Sequence, residues 1–257
     1  MLHQALQYIK FLKASTNQHG VHSPFVFDLV TRCLYDKTHY KAYATLAKYR
    51  QELLEIDRKI HITDFGSGSR VFKSNERVIS QMVKTSGTPL KRMKLLFRLV
   101  NYVKPTKTLE LGTLFGLATS AMALGYGENN ITSVEGCSAT LNVAKTQIEN
   151  FGFKKIHLIN ARFEAILPEL SQYTYDLIIF DGNHQKKATL DYFTLLLPTA
   201  HNDSLFIFDD IYLSDGMTQA WETIKQHPKV TVTVDLFYLG LVFFRKEQVK
   251  QHFKIRV

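Results

Sequence analysis

Three acids close two apolar runs. The stretch "YDLIIFDGNH" (175–184) carries Asp181, and "DSLFIFDD" (203–210) ends in Asp209 and Asp210. Short runs that are apolar throughout read as strands buried on both faces, and ligands of an open α/β sheet bind beyond the carboxyl ends of such strands. Three carboxylates on two nearby strand ends repel one another unless a cation or protons neutralise them. One acid in such a place would serve as well to cap the next turn or helix. The set of three predicts a divalent metal, and an all-oxygen ligand set suits Mg²⁺, Mn²⁺ or Ca²⁺, with Mg²⁺ the expected ion, rather than zinc. His184 lies three residues past Asp181. A neutral imidazole beside a metal-bound hydroxyl would take its proton, which makes His184 the candidate general base.

Two glycine loops compete for a nucleotide. "ITDFGSGSR" (62–70) has Asp64 and then Gly66 and Gly68; "LELGTLFG" (109–116) has Glu110, Gly112 and Gly116. An adenosyl site needs a strand, a tight loop, a helix start and a second strand ending in an acid that holds ribose hydroxyls. The second loop has all of these, because "ITSVEG" places Glu135 at the tip of the next strand, about 20 residues on as such units require. The first runs instead into polar and basic residues. Gly112 and Gly116 form G-x-x-x-G rather than the G-x-G-x-x-G of nicotinamide enzymes, which favours S-adenosylmethionine (SAM).

The elements that must position these residues alternate. Strands at "KTLEL", "ITSVEG", "KIHLIN", "YDLIIFDG" and "DSLFIFDD" are separated by helical stretches, and "VTVTVDLFY" with "GLVFFRK" closes the chain as a β-rich pair. The predicted fold is α/β: a Rossmann-like, doubly wound sheet, mostly parallel, with a C-terminal antiparallel strand and a mainly helical N-terminal segment before it. The division expected is residues 1–88 for that segment and 89–257 for the catalytic domain. Helices are predicted at "LHQALQYIKFLKA", "PFVFDLVTRCLY" and "YATLAKYRQELLEIDRKI", the last running to Ile60.

Composition sets the outer limits. With 257 residues, 45% hydrophobic and 21% charged, the chain can bury a full core. Cys33 and Cys137 form no spacing motif, so neither a disulfide framework nor a zinc site is expected. Polar residues interrupt every apolar run, so no membrane span or signal peptide is predicted and a cytoplasmic setting is expected. The net charge of +9 permits a polyanionic partner, but the basic residues are dispersed and read as a solvated face.

Taken in order, "LELGTLFG", "SVEG", "LINARFEAILPEL", "YDLIIFDGNH" and "LFIFDDI" resemble the motifs of class I SAM-dependent O-methyltransferases. The likeness is to the divalent-metal group, the catechol, caffeoyl-CoA and macrolide-sugar enzymes, over residues 90–246. The whole chain, with "HGVHSPF" and "DDIYLSDGMTQAW", is similar to methyltransferases of Bacteroidetes-type bacteria. The resemblance implies that Glu110, Gly112 and Gly116 form the SAM loop, that Glu135 binds the ribose, and that Thr113, Gly136, Ala161, Arg162 and Asp181 complete the cofactor site. It implies Asp181, Asp209 and Asp210 as metal ligands and His184 as the base, a set that leans toward the sugar enzymes. The chemistry implied is in-line methyl transfer to a hydroxyl that the metal orients and acidifies. Ala161 and Arg162 depart from the Gly followed by Asp or Asn of many relatives, and Leu114 replaces a small polar residue.

The acceptor expected is a small hydroxylated molecule of the sugar or phenol type. One alternative is 5-hydroxyuridine in tRNA, motivated by the charge; another is a non-catalytic SAM- or nucleotide-binding protein. A homodimer is what related enzymes suggest. "ITDFGSGSR" and "HGVHSPF" are assigned to a lid over the acceptor pocket. Tyr212, Phe237 and Tyr238 are candidate pocket aromatics, whereas Trp221, one helical turn from Met217, reads as core.

Overall fold

The computed structural model describes residues 2–66, 68 and 72–257. Ser67, Ser69 and Arg70 of "ITDFGSGSR" therefore lie outside the described residues. The chain forms two compact units, residues 1–35 with 166–257, and residues 36–165. The first 88 residues thus contribute to both, and "HGVHSPF" and the described part of "ITDFGSGSR" fall in different units.

The first unit begins with α1 (Leu2–Ala14) and α2 (Pro24–Leu29), the latter continued by a π-helical turn over Val30–Leu34. Ser23 caps α2 by accepting the Val26 N–H at 3.4 Å, and Pro24 at the first helical position lacks an N–H that would have been orphaned anyway. Ser23 also donates to Gln248 at 3.1 Å, and Tyr35 Oη donates to the Arg256 carbonyl at 2.8 Å, so both ends of the chain are tied into this unit.

The second unit opens with α3 (Ala42–Leu54), which ends six residues earlier than the spacing predicts. Lys59–His61 instead form β1, paired antiparallel with β2 (Glu76–Val78). Local helical periodicity is overruled here by the ladder that the returning chain offers. After α4 (Ile79–Thr85), α5 (Leu90–Val103) buries Met93, Leu96, Phe97 and Val100 on one stripe and stops at Lys104, left-handed before Pro105. Then β3 (Lys107–Leu111), α6 (Leu117–Gly125), β4 (Asn130–Glu135), α7 (Ser138–Asn150) and β5 (Ile156–Asn160) alternate as two parallel crossovers. The register pairs Glu110 with Ser133 and Glu135 with Asn160, so the acids expected at the cofactor loop lie on adjacent strands.

Helix α8 (Phe163–Leu170) carries the chain back to the first unit. There β6 (Leu177–Phe180), α9 (Lys186–Leu196), β7 (Leu205–Asp209), α10 (Asp215–Gln226), β8 (Val232–Asp235), β9 (Leu239–Phe243) and β10 (Gln251–Lys254) follow. The strands lie in the order β10-β8-β9-β7-β6. β6 and β7 are parallel, β9 is antiparallel to β7 and β8, and β10 is parallel to β8. The expected architecture is therefore present: α/β, mostly parallel strands, an antiparallel strand (β9) near the C-terminus and a helical N-terminal segment. β10 was not predicted, because "QHFK" has only one large apolar residue. Trp221 is buried, and a Cβ on Gly240 would lie 2.7 Å from its ring, so the indole is core packing as expected. Among the described residues, no helix is long and apolar enough to cross a membrane.

Candidate active site

The glycine loop is built around the buried Glu110. Its Oε2 accepts hydrogen bonds from Thr119 and Ser133, each at 2.5 Å. With Ser133 committed to Glu110, Thr113 donates to the Ser133 hydroxyl at 2.5 Å. This chain of hydroxyls ties strand, loop and helix together, so Glu110 and Thr113 shape the loop from beneath. Gly112 (φ 104°) and Gly116 (φ 75°) occupy left-handed backbone that side chains disfavour. Gly116 is doubly constrained, because a Cβ there would lie 2.6 Å from Tyr49 Oη, and that hydroxyl donates to the Phe115 carbonyl at 2.9 Å. Tyr49 comes from α3, and sequence reasoning missed it: one tyrosine on an amphipathic helix carries no signal beyond core.

Glu135 ends β4 with its carboxylate folded over the loop. Oε2 accepts the Leu114 N–H at 2.9 Å and Oε1 accepts the Cys137 N–H at 2.8 Å. Burial pushes its pKa up, partly offset by these backbone donors. A carboxylate so held still has lone pairs for the two hydroxyls of a ribose. Ala161 N–H donates to the Glu135 carbonyl at 3.2 Å, and the Asn160 amide donates to the carbonyls of Glu135 and Gly136 at 2.8 and 3.1 Å. The residues predicted for the cofactor, from Glu110 to Arg162, are thus assembled at the carboxyl ends of β3, β4 and β5; Asp181 belongs to the other unit.

In that other unit, the β6–β7 register pairs Phe180 with Phe208, so Asp181 and Asp209 leave adjacent strand ends. His184 Nε2 lies 3.5 Å from Asp181 Oδ1, with the imidazole 22% exposed. Burial alone would lower the His184 pKa, but the hydrogen bond and charge of Asp181, with the charges of Asp209 and Asp210, raise it to about 9. The three acids thus favour the protonated imidazole, where the sequence reading expects a neutral one. Among the described residues no group of three or more His, Cys, Asp or Glu is gathered so as to hold a metal ion. The charges of Asp181, Asp209 and Asp210 all act on the His184 imidazole. Asn183, His184, Asp210 and Phe237 all have positive φ (66°, 45°, 52° and 71°), concentrating strained backbone at the ends of β6, β7 and β8.

The candidate pocket aromatics cluster. Tyr212 stacks on Phe237 at 5.2 Å, Phe237 meets Tyr238 at 4.8 Å, and Tyr8 and Phe11 of α1 reach Phe237 at 4.8 and 5.6 Å. Tyr212 Oη donates to the buried Asp235 at 2.5 Å, which also accepts the Phe237 N–H at 2.8 Å. The helix α1 is as predicted, but its place in this cluster, and that of Asp235, were not foreseen; both depend on contacts remote in sequence.

Residues 109–211 match a family profile described as a methyltransferase domain. No curated protein sequence matches the chain significantly. Solved structures do: a Podospora anserina methyltransferase in complex with S-adenosylhomocysteine (SAH) is 14% identical, with a TM-score of 0.60 over 88% of this chain and 97% of that one. An O-methyltransferase from Streptomyces achromogenes, solved with SAM, is 16% identical, with a TM-score of 0.56 over 86% of this chain and 95% of that one. An O-methyltransferase from Bacillus cereus, solved with SAH, is 15% identical, with a TM-score of 0.54 over 81% of this chain and 93% of that one. The chain shares the fold of these enzymes, and its glycine loop and acids lie within the matched methyltransferase domain.

Proposed function

We propose that the chain is a SAM-dependent methyltransferase that transfers a methyl group to a hydroxyl of a small molecule of the sugar or phenol type. The observation that carries this reading is Glu135 closing over the Gly112–Gly116 loop with both carboxylate oxygens anchored to backbone N–H groups. SAM when bound supplies a methyl group on a positively charged sulfur, open to in-line attack by oxygen. The loop backbone admits the ligand closely at its two glycines, and Glu135 holds the ribose diol. His184 is assigned the proton that the hydroxyl releases, for which the imidazolium must first lose its own. The solved relatives bound to SAM or SAH support the cofactor, and the O-methyltransferases among them support a hydroxyl acceptor.

Metal assistance is the finer version of this proposal. Three acids acting on one imidazole favour it, although among the described residues no group of three or more His, Cys, Asp or Glu is gathered so as to hold an ion. The test is thermal melting with SAH, in EDTA and in Mg²⁺, for wild type and Asp209→Ala. SAH is expected to raise the melting temperature in EDTA, and no shift by SAH under any condition would sink the methyltransferase reading. A further Mg²⁺-dependent rise that Asp209→Ala removes would establish the metal version, and its absence would retire it.

A further inference from the structure

The glycine pair of "ITDFGSGSR" is not needed for the cofactor loop, yet the residue before it reaches the loop's partner strand. Phe65 packs against Gly136: a Cβ on Gly136 would lie 2.7 Å from Phe65 Cδ2 and 3.1 Å from Cε2, so glycine is what admits the ring. The Arg162 guanidinium stands 5.3 Å from the centre of the same ring and 3.8 Å from the Glu164 carboxylate. The turn that presents Phe65 is itself anchored. Asp64 Oδ1 accepts the Gly66 N–H at 3.0 Å, and Asp64 Oδ2 lies 3.6 Å from the largely buried Arg77 guanidinium.

Gly136 directly follows Glu135, and Arg162 stands two residues past the end of β5. Phe65 therefore lies over the backbone between the ribose acid and the next strand end. In a nucleoside the base is bonded to the ribose, so a ribose held by Glu135 brings its base beside this ring. Phe65 is 44% exposed, which leaves it surface for a flat partner. No carboxylate stands at 161 or 162 to read an amino group on the edge of a base. What the residues present is a π-face and a planar cation, which recognise a base by stacking.

We propose that Phe65 and Arg162 form the stacking platform for the adenine of the cofactor, recognising the face of the base rather than its edge. The inference rests on the SAM reading above and adds to it a binding residue from the N-terminal segment. It also gives the first glycine stretch a task on the cofactor side.

The experiment is calorimetric binding of SAH, of adenosine and of S-inosylhomocysteine, which lacks the amino group, to wild type, Phe65→Ala and Phe65→Trp. Phe65→Ala is expected to weaken SAH and adenosine alike by about tenfold, the usual scale of one base–aromatic stack. Phe65→Trp retains binding, and the inosine analogue binds wild type about as well as SAH does. If wild type binds SAH and Phe65→Ala binds it equally, the platform is wrong and the cofactor reading stands. A loss confined to SAH, with adenosine unaffected, also overturns the platform, because the ring would then act on the amino-acid end. Should wild type bind neither SAH nor adenosine, the SAM reading falls and takes the platform with it. Because Trp restores the aromatic face, a defect shared by Ala and Trp would show damage to the turn and would likewise count against stacking.

Discussion

At the scale of the residue, charge decides what His184 does. Its spacing from Asp181 was legible in the sequence, but its protonation state was not, because that depends on Asp209 and Asp210 arriving beside it from another strand. The consequence is a pH-dependent stability. The folded pKa, about 9, exceeds the ordinary value of 6.5, so the native state holds the proton more tightly than the unfolded chain. The stabilisation is complete below pH 6.5 and is lost as pH rises through about 9. Urea denaturation in EDTA should therefore show wild type losing up to about 3 kcal/mol relative to His184→Gln between these limits. Parallel pH curves for the two proteins would show that His184 does not carry the charge assigned to it.

At the scale of the element, the Gly112–Gly116 loop is held from two sides. Its own glycines grant the left-handed turns, and α3 supplies Tyr49, whose hydroxyl fills the space a side chain at 116 would need. Gly116→Ala should cost about 1–3 kcal/mol, the scale of a strained left-handed residue, with the contact to Tyr49 added. Gly116→Ala combined with Tyr49→Phe separates the two causes. If the contact matters, the double variant is more stable than additivity predicts, even though Tyr49→Phe alone forfeits the hydrogen bond to Phe115. Strict additivity would leave backbone strain as the whole cost. The glycines were visible in the sequence because their spacing is local. Tyr49 was not, since nothing in α3 distinguishes the residue that meets Gly116 from its buried neighbours Leu46 and Leu53.

At the scale of the whole molecule, the N-terminal 88 residues do two jobs. Residues 1–35 belong with the acid-bearing strands, and α1 covers Phe237 with Tyr8 and Phe11. Residues 36–88 belong with the Gly112–Gly116 loop and supply Tyr49 and Phe65. Deleting residues 2–14 should lower the melting temperature by uncovering Phe237 while SAH binding persists. Deleting residues 2–85 should abolish SAH binding as well, because Tyr49 and Phe65 go with it. Equal SAH binding by the two truncations would refute the division of labour. Calorimetric titration of each with SAH is the check.

The sequence by itself determined the alternation of strand and helix, the glycine turns of "LELGTLFG", and the placement of Glu135, Asp181, Asp209 and Asp210 at strand ends. Each of these follows from local spacing: apolar runs bury, glycines turn, and an acid after a buried strand must surface at its end. Tertiary structure alone decided the rest. The β1–β2 pairing cut α3 short of Ile60, β10 joined the sheet on a weakly apolar stretch, and the charges of three acids from two strand ends converge on the His184 imidazole. Phe65 found Gly136 across 71 residues of chain. Those outcomes turn on which surfaces meet when the chain closes on itself, and pairwise contacts between distant residues leave no periodicity for a sequence to display.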